Sequence, residues 1–157
     1  MKIVQNSVDH NSLVREQLFL ALADTSVETV KAQNYHWNVT GPAFGPLHDL
    51  FQRIYEDHFK GQDDLAERIG SLGGYVDGRY SAFLNSATLM ECDGHVTHEC
   101  MVKNLLSDQE ALSASLLDLA RMAEKHGDLV TNDLAVERAG VHNKFAWMLR
   151  SHIVTGH

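Results

Sequence analysis

Residues 36 to 69 read HWNVTGPAFGPLHDLFQRIYEDHFKGQDDLAERI, and the rest of the chain is arranged around them. The stretch holds two imidazoles, His36 and His48, then Gln52, then two carboxylates, Asp63 and Glu67. Neutral imidazole and carboxylate together suit a first-row transition metal such as iron or zinc. Within a helix the steps 48 to 52 and 63 to 67 are i,i+4, so each pair shares a face. His48 and Asp63, however, stand fifteen residues apart. A single helix over residues 44–72 separates them by about 22 Å at 1.5 Å rise per residue. One metal cannot bridge that gap. Either the two groups are unrelated, or a second copy of the chain completes one site.

A chain of 157 residues is read as one domain, 1–157, long enough to bury a core. Its only prolines are Pro42 and Pro46, and so few breakers favour long helices. The net charge of −8 disfavours nucleic acid as a partner and favours cations. Cys92 and Cys100 have neither disulfide-framework nor CxxC spacing, and are read as reduced thiols. The opening MKIVQNSVDHNS lacks the apolar run of a signal peptide, and no stretch approaches eighteen apolar residues. The expectation is a soluble, cytoplasmic protein with no membrane partner.

The pattern predicts four long helices. Residues 1–10 read as a short, weakly ordered tail. A helix follows from an N-cap at Asn11 or Ser12 to about Asn38, with Leu13, Leu20, Ala23, Val27 and Val30 on one stripe. TGPAFGP then makes a turn. The second helix turns Leu47, Leu50, Ile54, Leu65, Ile69 and Leu72 inward and ends at Gly73-Gly74. Residues 75–96 form a connector, punctuated by Gly78, Asp93 and Gly94, with one short helix inside Tyr80 to Leu89. A connection this long implies a crossover, as in ferritin-like bundles. The third helix spans Thr97 to Lys125, with Val102, Leu105, Leu112, Leu116, Leu119 and Ala123 inward, and stops at His126-Gly127. The fourth runs from Asp128 or Thr131 to Ile153, with Leu134, Val141, Phe145 and Met148 on its stripe. The fold class is therefore all-α, a ferritin-like four-helix bundle with a short extra helix between its second and third members.

A di-iron site inside one such bundle uses Glu-x-x-His on two helices. None occurs: Glu91 and His95 are four apart, and Glu137 and His142 are five. The metal site of an ordinary ferritin is thus excluded, while the bundle is not.

The segments NYHWNVTGPAF (34–44), LHDLF (47–51), DDLAERI (63–69), GDLVTNDL (127–134) and KFAWMLRS (144–151) closely resemble the Dps family, the miniferritins also called DNA-binding proteins from starved cells. The resemblance covers nearly the whole chain, and ligand types and spacings both recur. It implies a hollow homo-oligomeric shell of twelve subunits with an iron-oxidising site between two of them. His36 and His48 would come from one subunit, Asp63 and Glu67 from its two-fold mate. The family usually carries Asp or Glu where this chain has Gln52. That neutral amide can coordinate through its carbonyl oxygen but supplies no charge, so of two iron ions per site the second is expected to be weak. Asp49 and Glu56 stand near without occupying the family position.

A lone histidine near a helix end is ordinarily structural. Two at this spacing, with an i,i+4 Asp/Glu pair and the surrounding motif, favour metal instead. Trp37 is read either as packing or, from the resemblance, as a radical sink beside the iron. Trp147 is read as core or interface. His58, His142 and His152 lack carboxylates at metal spacing and are read as structural or surface groups. Glu124, Asp128 and Asp133 gather near the start of the fourth helix, where a carboxylate ordinarily balances the helix dipole. In the resembled family this region lines a three-fold pore admitting cations, a role preferred here for the three acids, although Leu129 stands where some members have another.

The resemblance implies oxidation of Fe²⁺, with hydrogen peroxide as the expected oxidant, and storage of ferric mineral in the shell against oxidative damage. The alternative is a nucleoid-compacting DNA-binding protein with weak iron binding. DNA binding needs clustered Lys and Arg. The first fourteen residues hold only Lys2, the segment after Trp147 holds only Arg150, and no three basic residues are consecutive. Twelve copies would carry about −96, which repels DNA.

Overall fold

The computed structural model describes residues 9–92 and 95–153, and these contain five helices and no strand. The expected tail falls largely on residues 1–8, outside the described residues, as do Asp93 and Gly94 of the connector.

Helix α1 spans His10–Asn38 and begins two to three residues earlier than the pattern suggests. Its cap is Asp9, whose carboxylate accepts from the Asn11 amide at 3.1 Å. Helix α2, Phe44–Ser71, is continuous across the whole decisive stretch. Past it, Gly73 adopts φ +78°, and the Gly74 amide returns to the Ile69 carbonyl at 2.9 Å, a glycine-terminated helix end. The connector holds α3, Tyr80–Ser86. Helix α4, His98–Lys125, is capped by Thr97, and α5, Leu129–Arg150, by Asp128. The fourth long helix ends three residues short of Ile153, which lies in a turn.

The long helices pack as two hairpins, α1 on α2 and α4 on α5, joined face to face mainly through α1 and α4, while α3 leans on α1. The long connection between α2 and α4 is tied down by Asp24. This buried carboxylate accepts from the Thr88 amide at 2.6 Å, the Thr88 hydroxyl at 2.8 Å and the Leu89 amide at 2.9 Å.

Two apolar clusters fill the bundle. One gathers Tyr35, Leu47, Phe51, Ile54, Leu105 and Leu149, and the other Leu18, Leu22, Leu65, Leu116, Leu119 and Ala135. The inward residues foreseen on α4 are all buried. Two stripes are only partly inward: Ala23 and Val27 on α1 and Phe145 on α5 are buried as expected, and the rest are not. On α1, Leu13 and Val30 are exposed and Leu20 half-buried, while Val14, Leu18, Thr25, Glu28 and Thr29 face the core. On α5, Leu134, Val141 and Met148 are half-buried, and Ala135, Arg138, Ala139 and His142 lie inside. Both helices mix polar and small residues with apolar ones on the inner face and leave other apolar residues outside, so the contrast that marks an amphipathic helix is weak.

Candidate metal centres

His36 ends α1 and His48 begins α2, and the TGPAFGP turn folds one helix onto the other so that the rings stack 3.7 Å apart. Each Nδ1 lies 2.8 Å from the other residue's carbonyl oxygen. A carbonyl only accepts, so each Nδ1 carries the proton and each Nε2 keeps its lone pair, as a metal-ligating histidine requires. Tyr55 meets His36 edge-on and Phe44 stacks on His48, which further fixes the rings.

Asp63 and Glu67 lie one turn apart on α2, both exposed. Because α2 is unbroken from Phe44 to Ser71, the separation of about 22 Å between His48 and Asp63 stands. The chain brings His36 and His48 together and keeps Asp63 and Glu67 apart from them. Gln52, one turn below His48, donates from Nε2 to Glu56 Oε1 at 2.7 Å, which leaves its carbonyl oxygen available. Asp49 is exposed.

Trp37 is 68% exposed, on the rim of a cleft with Val30, Tyr80 and Leu84, so it does not pack into its own core. Trp147 is 60% exposed, which removes the core half of its reading.

Of the three acids around α5, Glu124 and Asp133 are exposed. Asp128 is the helix cap: Oδ1 accepts from the Thr131 amide at 2.9 Å and from Arg68 at 2.8 Å, while Oδ2 accepts from the Thr131 hydroxyl. Burial pushes its carboxyl up, but the Thr131 bonds and the Arg68 charge outweigh that and hold it below its ordinary value.

Midway along the bundle a polar layer separates the two apolar clusters, and it corrects the reading of His58 and His142. Far from lacking a carboxylate, His58 Nδ1 lies 3.1 Å from Oε2 of Glu28, with both side chains fully buried. His142 joins them, and one ligand-type atom from each of the three lies within 4.8 Å of the others. Gln109 holds the group: Nε2 donates to Glu28 Oε1 at 2.5 Å, and Oε1 faces His142 Nδ1 at 2.6 Å. Desolvation pushes the Glu28 carboxyl well up, with the Asp108 charge adding to it. Desolvation, then Arg138, lowers His58 to about 3. It also drives His142 well down, with His58 and Arg138 adding to the effect. Arg138 pairs with Asp57 at 2.7 Å, and its guanidinium passes so close to Gly61 that a Cβ there would stand 2.7 Å away.

Sequence reasoning missed this layer because its members come one from each long helix, with no local spacing to mark them. A signal existed in register: His58 stands four residues after Ile54 and seven before Leu65, in the core stripe of α2.

A family model described as a ferritin-like domain matches residues 15–156. The chain is 41% identical over 134 residues, 84% of its length and 75% of the relative's, to a low temperature-induced protein of Nostoc sp.. It is 33% identical over 143 residues, 91% of its length and 98% of the relative's, to DNA protection during starvation protein 2 of Bacillus anthracis. Its fold matches the X-ray structure of Dps from Thermosynechococcus elongatus with a TM-score of 0.91, at 28% identity over 94% of each chain.

Proposed function

The chain belongs to the ferritin-like family as a Dps-type miniferritin, and from that premise we propose that it oxidises Fe²⁺ between paired subunits and stores ferric mineral in a dodecameric shell. His36 and His48 of one subunit and Asp63 and Glu67 of its two-fold mate hold the ferrous substrate, with Gln52 at the edge of the site. The observation that carries this reading is the His36–His48 pair, whose carbonyl contacts leave both Nε2 atoms free while the chain's own Asp63 lies about 22 Å along α2.

Hydrogen peroxide is the proposed oxidant. Two ferrous ions give one electron each, and one peroxide takes both with two protons to leave two waters. Pairing the electrons at one site keeps a single-electron reduction from releasing hydroxyl radical. Trp37 is proposed to intercept any radical that escapes, a role its exposure next to His36 in the sequence supports. Glu124 and Asp133, repeated about a three-fold axis, focus a negative potential that draws in Fe²⁺, with Asp128 capping the helix beside them.

The test is anaerobic titration of ferrous protein with peroxide, followed by size separation of shell-bound iron. The reading expects two ferrous ions oxidised per peroxide and iron that travels with the shell. One ferrous ion per peroxide with free radical, or iron lost from the shell, sinks it. The charge of −8 favours iron over DNA as the working partner, and plasmid mobility at low salt should be unchanged by the protein.

A further inference from the structure

Each long helix sends one polar side chain into the middle of the core: Glu28 from α1, His58 from α2, Gln109 from α4 and His142 from α5. None is more than 1% exposed. Three of their atoms, Glu28 Oε2, His58 Nδ1 and His142 Nε2, make no hydrogen bond, although Oε2 and Nδ1 stand 3.1 Å apart, and one ligand-type atom from each residue lies within 4.8 Å of the others. An unpaired polar atom in such a place is costly, and an unpaired carboxylate more so. The neighbouring cations do not answer Glu28, since Arg138 pairs with Asp57 and Lys31 with Asp108 at 2.6 Å. The layer therefore keeps one unmatched acid between two imidazoles.

Gln109 shows what the three atoms are prepared for. Its carbonyl oxygen faces His142 Nδ1, which must carry the proton, so the unpartnered Nε2 holds a lone pair. Its amide nitrogen donates to Glu28 Oε1, leaving Oε2 on the His58 side, and also lies 3.5 Å from His58 Nε2. One side chain thus orients two ligands from behind, the arrangement that supports metal-bound histidine and carboxylate.

We propose that Glu28, His58 and His142 form a second metal site, closed inside each subunit, that takes one divalent first-row ion such as Zn²⁺ or Fe²⁺. Two imidazoles and one carboxylate are a donor set these ions accept, at about 2.0–2.2 Å from each ligand atom. The site holds one ion, because Asp57 and Asp108, the neighbouring carboxylates, are committed to their own pairs. It is separate from the inter-subunit site: at 3.6 residues per turn, Asp63 points about 140° around α2 from His58. Because its ligands are buried in the folded bundle, the ion enters as the chain folds and ties all but α4 of the long helices directly together.

The test uses assembled protein from cells grown with added zinc. One version carries His36→Ala, His48→Ala, Asp63→Ala and Glu67→Ala, which removes the inter-subunit ligands. A second adds Glu28→Met, His58→Leu and His142→Leu, which keep the core filled with apolar side chains of similar size. After dialysis against a weak chelator, elemental analysis should find one zinc per subunit in the first and none in the second. X-ray absorption of the first should show two imidazoles on the zinc. A single Glu28→Gln change on the first background should lower retained zinc at least tenfold. A first protein free of zinc, or zinc equal in both, overturns the proposal.

Discussion

His36 and His48 hold each other through the main chain, each Nδ1 lying 2.8 Å from the other residue's carbonyl oxygen. The pair is thus a unit built by the α1–α2 turn, and its orientation does not depend on a bound ion. What it lacks is carboxylate, and α2 places Asp63 and Glu67 too far along to supply it.

Mixed shells follow from that separation. Subunits bearing Asp63→Ala/Glu67→Ala and subunits bearing His36→Ala/His48→Ala should each be inactive alone. A mixed dimer keeps one intact site of its two, so co-assembled shells should recover part of the ferrous oxidation rate. Verified mixed shells as inactive as either parent would rule out a site shared across the two-fold.

Asp24 is the clamp on the long connection. Asp24→Ala leaves the Thr88 and Leu89 amides without their acceptor, and should cost about 1–3 kcal/mol of stability. Asp24→Asn, which keeps one acceptor oxygen, should cost less. Limited proteolysis of the 72–97 connection should quicken in the alanine variant. An unchanged cleavage rate would mean that the packing of α3 on α1 holds this segment unaided.

The parts of the fold that were legible in the sequence are those where one physical signal acts alone. Helices α2 and α4 carry Leu, Ile and Val at three-and-four steps, and their bounds match the expected ones closely. On α1, Ala23 and Val27 are buried as expected, but Leu13 and Val30 are apolar and exposed while Glu28 and Thr29 are buried, so periodicity found only part of the inner face. The proposed inter-subunit ligands could be singled out because i,i+4 spacing and helical rise are local rules, and the family resemblance then assigned them to two subunits. The Glu28–His58–His142 group was not, because only the assembled bundle brings residues 30 and 84 positions apart together.

Asp128 gives a pH dependence with a definite sign. Its folded carboxyl titrates below its ordinary value, so the stability it adds is complete above the ordinary carboxylate range and disappears as pH falls through the folded value. Asp128→Ala should cost about 0.5–2 kcal/mol at neutral pH, the usual worth of an N-cap. The cost should shrink near pH 3. Urea unfolding of both proteins at the two pH values checks it. An equal difference at both would assign the loss to packing and not to charge.

Glu124→Gln with Asp133→Asn should slow iron uptake at low ferrous concentration and leave the rate at saturating iron unchanged. Both groups are exposed, so shell assembly should survive. Uptake curves that superimpose at every ferrous concentration would take these residues off the path.

Gln52 is the clearest chemical departure at the proposed inter-subunit site. It sits one turn below His48 and gives its amide hydrogen to Glu56, which leaves a neutral carbonyl oxygen where a charge would draw a cation. Charge-assisted contacts are roughly twice as strong as neutral ones. Each 1.4 kcal/mol gained is about tenfold in affinity. One ion should therefore bind well, through Asp63, Glu67 and His36, and a second only weakly, near His48. Gln52→Glu loses the bond to Glu56 and places two carboxylates one turn apart. Glu56 is exposed and can turn into water, so the new charge remains directed at the site. The variant should tighten the second ion at least tenfold and speed peroxide-driven oxidation. Calorimetry with Zn²⁺ on both proteins decides it, using the Glu28→Met/His58→Leu/His142→Leu background so that only the inter-subunit site is counted. Two equally tight ions per site in the unmodified Gln52 protein, unchanged by Glu, would show that Asp49 or Glu56 already supplies the charge.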